Sequence, residues 1–306
     1  MTHLATLPGD NRPLTAAAVM ICAMTIAGVA DNVIPLISAE IGLWQFHLTR
    51  ALLALPLLAA LSALGLGRFW PRRIAPVALR SLLLAVSMMF YYAALSLMPI
   101  GEALAGLFTS PIFILLITAL GLRQRIGPWR ILAVALGFAG ILFVLRPDPA
   151  HFDGSILLAV AGGLFYALGS IATRSLCEGE STVALLAGML VAMALIGAAG
   201  VAVLAVFPVE AAPGAAGFAL RGWVWPMASV LPWVAVQALG VVGGVFLIIK
   251  AYQLGEASYV AVFEYSVMIV APFTAWLLYG QPIEPAQAVG IALIVSGGAI
   301  IAVRSK

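Results

Sequence analysis

Charged side chains are scarce in this sequence. Asp, Glu, Lys and Arg together make up 9% of the 306 residues, whereas 64% of the residues are apolar. A water-soluble protein of this length could not cover its surface with so few charges. The composition therefore excludes a soluble protein, and no nucleic-acid partner is expected. It indicates a chain that is embedded in a membrane.

Residues and motifs for covalent or metal chemistry are also few. The two cysteines, Cys22 and Cys177, are not enough for a disulfide framework or a metal site. The sequence has no CxxC or HExxH pattern and no GxxxxGK[ST] phosphate-binding loop. We therefore expect no catalytic residues, no metal, no cofactor and no ATP-hydrolysing module.

Most of the chain consists of long apolar stretches. A helix needs about 20 apolar residues to cross the hydrocarbon layer of a bilayer. Ten stretches have roughly this length, at 14–34, 45–66, 76–97, 103–121, 128–145, 155–174, 182–207, 232–251, 257–279 and 286–303. They predict an all-α polytopic membrane protein with ten transmembrane helices.

The Lys and Arg residues fall almost entirely in every second gap between these stretches. With a cytoplasmic N-terminus, twelve of the fifteen lie inside, at Arg12, Arg68, Arg72, Arg73, Arg80, Arg123, Arg125, Arg130, Arg174, Lys250, Arg304 and Lys306. Arg146 and Arg221 lie outside, and Arg50 lies within a span. Positive charge is retained on the cytoplasmic side during insertion, so this distribution predicts that both termini are cytoplasmic.

The two halves of the sequence resemble each other. The tripeptide Gly-Glu-Ala at 101–103 recurs at 255–257, and each copy precedes a span, a short loop and a glycine-rich span. This order predicts a five-helix repeat at 1–147 and a second one at 148–306. Because five is an odd number, the second copy enters the membrane from the opposite side, as in the inverted repeats of many transporters.

Two stretches carry a resemblance to a known family. Residues 94–147 read ALSLMPIGEALAGLFTSPIFILLITALGLRQRIGPWRILAVALGFAGILFVLRP, and residues 251–304 read AYQLGEASYVAVFEYSVMIVAPFTAWLLYGQPIEPAQAVGIALIVSGGAIIAVR. They resemble the two half-signatures of EamA-type members of the drug/metabolite transporter superfamily. The sequence departs from this pattern at Gln124 and Gln281, where the family often has Glu.

The resemblance implies a ten-helix carrier of small organic metabolites, often amino acids or related compounds, which are commonly exported. Such a protein lies in the bacterial inner membrane as a monomer or homodimer. Its partners are membrane lipid and the small-molecule substrate.

Arg50 is the clearest candidate for a functional side chain within a span. An ionisable group there costs about 2.5–3.5 kcal/mol on insertion scales and needs a partner. His47 lies one turn away on the same helix face, and Asp31 lies at a similar depth in the first span. Arg50 either pairs with Asp31 and holds two helices together or binds a substrate carboxylate, which arginine recognises bidentately.

Glu264 is the second ionisable residue predicted to lie within a span. A carboxyl that is removed from water favours its neutral form and can carry a proton. Alternatively, Glu264 is a hydrogen-bonded side chain that packs between helices. With Asp31, it is our candidate for proton or ion coupling. Glu256 is predicted to cap the same span at its start, near Lys250.

Aromatic and amide side chains within the spans are candidates for the wall of a substrate pocket. Aromatic residues with a polar tip suit an amphipathic solute, although most membrane aromatics only pack or anchor. The predicted substrate-binding set is Arg50, His47, Tyr91, Tyr92, Phe108, Tyr166, Gln237 and Tyr265.

Together these features predict a secondary transporter that works by alternating access between its two halves. Two other classes stay open from the sequence. A membrane enzyme or lipid-handling protein would have a catalytic cluster at one interface, which the sequence does not show. A non-transporting scaffold would not need Arg50 and Glu264 within its spans.

Overall fold

The structure, a computed structural model, describes residues 12–95, 100–145, 156–280 and 284–304. These residues form helices joined by connections and contain no strand. Ten helices in these residues are long and apolar enough to cross a membrane. They are α1 Pro13–Asp31, α2 Leu43–Ala63, α3 Ile74–Tyr91, α4 Ala103–Gly121, α5 Pro128–Leu145, α6 Ile156–Ser175, α7 Thr182–Val206, α8 Leu231–Leu254, α9 Ala257–Leu278 and α10 Pro285–Arg304. The ten predicted spans are confirmed.

Shorter elements and extensions complete the helices. Helix α3 continues to Leu95, and α4 is preceded by a turn that begins at Ile100. A short helix, Ile34–Glu40, joins α1 to α2, and a 3-10 turn, Gly214–Gly217, lies between α7 and α8. These connecting elements are too short to cross a bilayer.

The helices pack with a two-fold pattern that relates the two halves. Helix α5 packs along α10, and α2 packs along α7. In the first half, α3 and α4 both pack against α6, the first helix of the second half. Their counterparts in the second half, α8 and α9, both pack against α1, the first helix of the first half. Exchanging the halves therefore maps these contacts onto one another. Since each helix and its counterpart are five spans apart, they cross in opposite directions, and the fold consists of two inverted five-helix repeats.

The contact between α5 and α10 depends on glycine. A Cβ atom on Gly140 would collide with the backbone oxygen of Gly290, and a Cβ on Gly290 would collide with the backbone oxygen of Gly140. Small residues let the backbones of two membrane helices approach closely. This pair therefore fixes the closest approach between the last helices of the two repeats.

Helices α4 and α9 are interrupted at corresponding positions. Helix α4 breaks after Ile100–Leu107 and resumes as Ser110–Leu116. Helix α9 begins as Ala257–Val260, tightens into the 3-10 segment Ala261–Ser266, and continues as Val267–Tyr279. Interrupted helices in matching positions of inverted repeats commonly mark a binding site.

One end of the bundle is held together by polar contacts between the connections. The Glu180 carboxylate, between α6 and α7, accepts hydrogen bonds from the backbone N–H groups of Arg72 and Arg73, between α2 and α3, at 2.9 and 2.7 Å. Gln253, at the end of α8, donates to the backbone oxygen of Glu180 at 2.9 Å. Three connections that the charge pattern assigns to one side therefore meet at one end of the structure.

The N-terminal residue of the described chain and the α4–α5 connection belong to the same end. Arg130 at the start of α5 bonds both Glu256 and the Ser258 hydroxyl, and the backbone N–H of Arg12 donates to Leu254. We call this end the basic end, because the Lys and Arg side chains of the described connections and helix ends lie there, apart from Arg221. Glu256 stands at the helix start, but its side chain caps no backbone N–H, so that prediction is wrong.

The long connection at the opposite end, residues 207–230, folds back onto the start of α2. The Gln45 amide donates to the Val224 oxygen and accepts from the Val224 N–H, both at 2.8 Å. The Leu43 N–H donates to the Phe218 oxygen at 2.8 Å. Arg221 donates to backbone oxygens of the α1–α2 connection. We call residues 207–230 the clasp.

Candidate functional site

The Glu264 side chain lies in the 3-10 segment of α9 and is buried, with 2% of its surface exposed. Its Oε1 accepts a hydrogen bond from the Tyr252 hydroxyl at 2.7 Å and from the Tyr166 hydroxyl at 2.9 Å. Both bonds end on the same oxygen, Oε1. We call Glu264, Tyr166 and Tyr252 the Glu264 cluster.

The two interrupted helices meet at a single turn of α6. A side chain on Gly163 would collide with the backbone oxygen of Leu107 and with the Thr109 hydroxyl, at the break in α4. One turn further on, Tyr166 reaches Glu264 in the interrupted part of α9. These positions are the eighth to eleventh of the 20 residues of α6. The turn therefore lies in the middle of the span, between the two repeats.

Arg80 belongs to the surroundings of this cluster, and the charge pattern placed it wrongly among the loop cations. It is the seventh residue of α3 and only 2% exposed. Its Nε donates to the Thr173 hydroxyl at 3.0 Å, and its Nη1 donates to the Leu185 oxygen at 2.9 Å. Thr173 lies on α6, two turns after Tyr166, so this buried cation is bonded to the helix that carries a hydrogen-bond partner of Glu264.

The second predicted residue, Arg50, is buried within a cluster of its own. Its Nη2 lies 3.0 Å from Nδ1 of His47, one turn before it on α2. Its guanidinium carbon lies 4.7 Å from the centre of the Phe46 ring, which is the range of a cation–π contact. The predicted proximity of Arg50 and His47 is therefore present in the structure.

Asp31 and Gln237 complete the Arg50 cluster from α1 and α8. The Gln237 amide donates to the backbone oxygen of Ala30, the residue before Asp31, at 2.7 Å. Arg50 is 8% exposed, and among the described residues it forms no ion pair with Asp31, so the predicted pair is not formed; the two charges act on each other over a longer distance. The Asp31 side chain itself is exposed, so this cluster extends from the buried guanidinium to accessible surface.

The remaining predicted pocket residues do not form one wall. Tyr265 is fully buried against Gly137, and its hydroxyl lies 3.4 Å from the Phe108 oxygen, near the break in α4. Tyr91 is half-buried and packs beside a separate apolar cluster between α2 and the clasp. The side chain of Tyr92 lies outside the described residues. The predicted set therefore divides between the Glu264 cluster, the Arg50 cluster, the break in α4 and, for Tyr91, the apolar cluster beside the clasp.

An aromatic pair next to the Glu264 cluster lies outside the predicted substrate-binding set. The rings of Phe90 on α3 and Phe165 on α6 are stacked, with centres 5.5 Å apart and an interplanar angle of 19°. Phe165 directly precedes Tyr166. Both phenylalanines are half-buried. The available signal was the position of each ring directly before a tyrosine within its span.

The family model for EamA-like transporters matches this chain twice, at residues 14–146 and 154–303. A riboflavin transporter of Rhizobium johnstonii is 28% identical over 91% of this chain and 89% of its own length. An S-adenosylmethionine uptake transporter of Rickettsia bellii is 23% identical over 74% of this chain and 72% of its own length.

A protein of known crystal structure shares the fold. It covers 96% of this chain and 99% of its own, with a TM-score of 0.75 and 21% identity. The double match and the transporter relatives confirm a multi-pass bacterial membrane protein that transports small molecules and is not an enzyme. With two matched segments that together span most of its length, the chain belongs to the EamA-like transporter family.

Proposed function

We propose that this protein is a secondary transporter for a metabolite with a planar heteroaromatic ring, with riboflavin as the first compound to test. It would work in the bacterial inner membrane by alternating access around the Glu264 cluster. The observation that carries this proposal is the meeting of the two interrupted helices at Gly163–Tyr166, beside a buried carboxyl. Interrupted helices let two repeats move relative to each other without unfolding a span.

Two observations support the substrate class. The stacked Phe90–Phe165 pair lies next to Tyr166, and aromatic side chains bind flat rings by stacking. The compounds named for the two relatives, riboflavin and S-adenosylmethionine, both combine a nitrogen heterocycle with a hydroxylated chain or sugar. The cluster offers hydroxyl groups within reach of such a solute.

Glu264 supplies the proposed coupling to a proton gradient. Among the described residues, its carboxyl has only neutral hydrogen-bond donors, and both act on one oxygen, so protonation of the other oxygen would break neither bond. Proton carriers in transporters are typically carboxyl groups of this kind within spans. Asp31 is a second coupling candidate, because its side chain is exposed and the charge of the buried Arg50 acts on it.

Export of amino acids is the competing hypothesis from the sequence resemblance. It requires a cation for the substrate carboxylate, and Arg50 is the buried cation predicted for this role. Arg50 already interacts with His47, Phe46 and Asp31. The geometry therefore favours the heteroaromatic substrate over the amino acid.

Transport by the purified protein in liposomes tests the proposal. We expect riboflavin fluorescence to accumulate inside when a pH gradient is imposed, and Phe165→Ala to reduce the rate at least about fivefold, because a stacking contact is lost. Phe273→Ala is the matched control, since this ring is 52% exposed on the surface of α9. Movement of amino acids without heteroaromatic compounds would support the competing hypothesis, and movement of neither would refute the proposal.

The orientation of the chain is a separate proposal, in which the basic end faces the cytoplasm. It rests on the concentration of loop cations at that end. A cysteine in place of exposed Arg125 would react with a membrane-impermeant maleimide only from the cytoplasmic side. A cysteine in place of Glu210, which is exposed in the clasp, would react only from the opposite side. The reverse labelling pattern would show that the orientation is inverted.

A further inference from the structure

A polar pocket of about 320 Å³ opens at the basic end, away from the Glu264 cluster. It lies between the α2–α3 connection, the α6–α7 connection and the last turns of α8. Gly67 lets the first two connections meet there, since a Cβ atom on it would collide with the Ser181 side chain. The pocket is therefore built by contacts between connections that are far apart in sequence.

Three cations line this pocket: Arg68, Arg72 and Lys250. All three side chains are exposed, and within the described ranges none of them forms an ion pair. Lys250 was expected near Glu256, but Glu256 bonds Arg130 instead. Three like charges around one concave surface repel each other, and this repulsion is relieved when an anion binds between them.

The one carboxylate in the pocket wall does not balance these charges. Glu180 is 6% exposed, and its two oxygens accept the backbone N–H groups of Arg72 and Arg73. Its charge is also compensated by the Arg73 guanidinium, whose Nε lies 3.8 Å away. The side chains of Arg72, Arg68 and Lys250 are therefore left to bind an anion.

Neutral groups extend the pocket beyond the size of a small ion. Trp70 lines it with a ring that is 76% exposed, and Gln253 and Ser181 add polar atoms. A phosphate group would occupy only part of the volume, which leaves space for a glycerol or sugar unit beside the indole. Arginine and lysine are the side chains that most often bind phosphate oxygens.

We infer that this pocket binds the phosphate group of a phosphomonoester or phosphodiester, supplied by an anionic lipid headgroup or by a soluble metabolite. None of the residues that line the pocket belongs to the Glu264 cluster, and binding there needs no proton gradient. A binding measurement on the purified protein therefore tests it independently of transport. The two sources share the same chemistry and are separated by the choice of probe.

Two binding assays in neutral detergent test the inference. Isothermal titration with glycerol 3-phosphate reports a soluble ester, and native mass spectrometry with phosphatidylglycerol, against phosphatidylcholine, reports a lipid headgroup. We expect Arg72→Gln and Lys250→Gln each to weaken the bound probe about tenfold, the effect of losing one hydrogen bond to a charged group. Arg125→Gln removes the same charge from the same end outside the pocket and should change binding less than about twofold.

The outcomes separate the inference from its alternatives. Binding of glycerol 3-phosphate identifies a soluble ligand, whereas selective retention of phosphatidylglycerol alone identifies a lipid. An equal loss of affinity in Arg125→Gln would show that the probe is attracted to the basic surface in general, and it would overturn the proposed binding pocket. Absence of binding by both probes, in protein whose thermal unfolding is unchanged, would overturn it as well. Arg68→Gln repeats the test if either other variant fails to fold.

Discussion

Replacement of Glu264 distinguishes its role in folding from its role in coupling. Glu264→Gln keeps an oxygen that can accept the hydrogen bonds of Tyr166 and Tyr252, but it cannot exchange a proton. Glu264→Ala removes the acceptor for both hydroxyls. Both variants therefore abolish proton exchange at this position, but only Glu264→Ala leaves the two tyrosine hydroxyls without their acceptor.

The expected loss of stability follows from the burial of the two hydroxyls. Tyr252 is 1% exposed, so leaving its hydroxyl without an acceptor should cost about 1–3 kcal/mol. Tyr166 is only half-buried and should add about 1 kcal/mol. Glu264→Ala is thus expected to lower the free energy of unfolding by about 2–4 kcal/mol, and Glu264→Gln by less than about 1 kcal/mol.

Transport in liposomes and thermal unfolding in detergent measure the two effects. We expect Glu264→Gln to unfold near the temperature of the unmodified protein but to lose acceleration of transport by a pH gradient. Glu178→Gln is the control, because this carboxylate is exposed at the basic end. If Glu264→Gln transports with undiminished dependence on the pH gradient, Glu264 is not the proton carrier, and the hydrogen-bonded packing role predicted as its alternative is correct.

Three further predictions concern the packing of the bundle. Asp31→Asn and Arg50→Gln should each destabilise the protein, and the double variant should recover about 0.5 kcal/mol relative to the sum, because the two charges attract each other without forming an ion pair. Gly137→Ala should cost about 1–3 kcal/mol, since the new methyl group would collide with the Tyr265 ring. Cys177 should react slowly with maleimide at neutral pH and faster as the pH rises, because burial raises the pKa of its thiol.

Each of these predictions has a simple control. If the losses of stability in Asp31→Asn and Arg50→Gln simply add in the double variant, the charges of Asp31 and Arg50 are independent. A Gly243→Ala substitution in α8 meets only side-chain atoms at 3.6 Å or more and should leave stability nearly unchanged, in contrast to Gly137→Ala. Fast labelling of a Cys22→Ala chain at neutral pH would contradict the burial of Cys177; Cys22 is replaced because it is exposed on α1 and could itself react.

The number of spans could be predicted from the sequence because it depends on local properties. Each span is recognisable from about 20 residues of apolar composition, and loop charges report which connections share a side. The interruption of α4 at Phe108–Thr109 was signalled only by the proline at 111. The 3-10 segment of α9 had no comparable signal, since it packs against α1, α5 and α10 and bonds residues of α6 and α8, most of which are distant in sequence.

The environments of single charges were harder to predict because their partners are distant in sequence. Arg80 is seven residues downstream of Arg73, so it could be assigned to the same basic loop. Its partners, Thr173 and Leu185, are 93 and 105 residues away. Likewise, Glu256 pairs with Arg130 rather than capping its own helix. Only the packing of the repeats brings these groups together.

The clasp makes the two ends of a nearly symmetric protein unequal. Its counterpart in the first repeat, residues 64–73, is ten residues long, whereas the clasp has 24. In the proposed alternating-access cycle, opening this end would require the clasp to move with α2 as one body or the bonds of Leu43 and Gln45 to break. The states open to either side would therefore differ in free energy. Solute gradients would set the direction of net transport, and this difference would set the resting state.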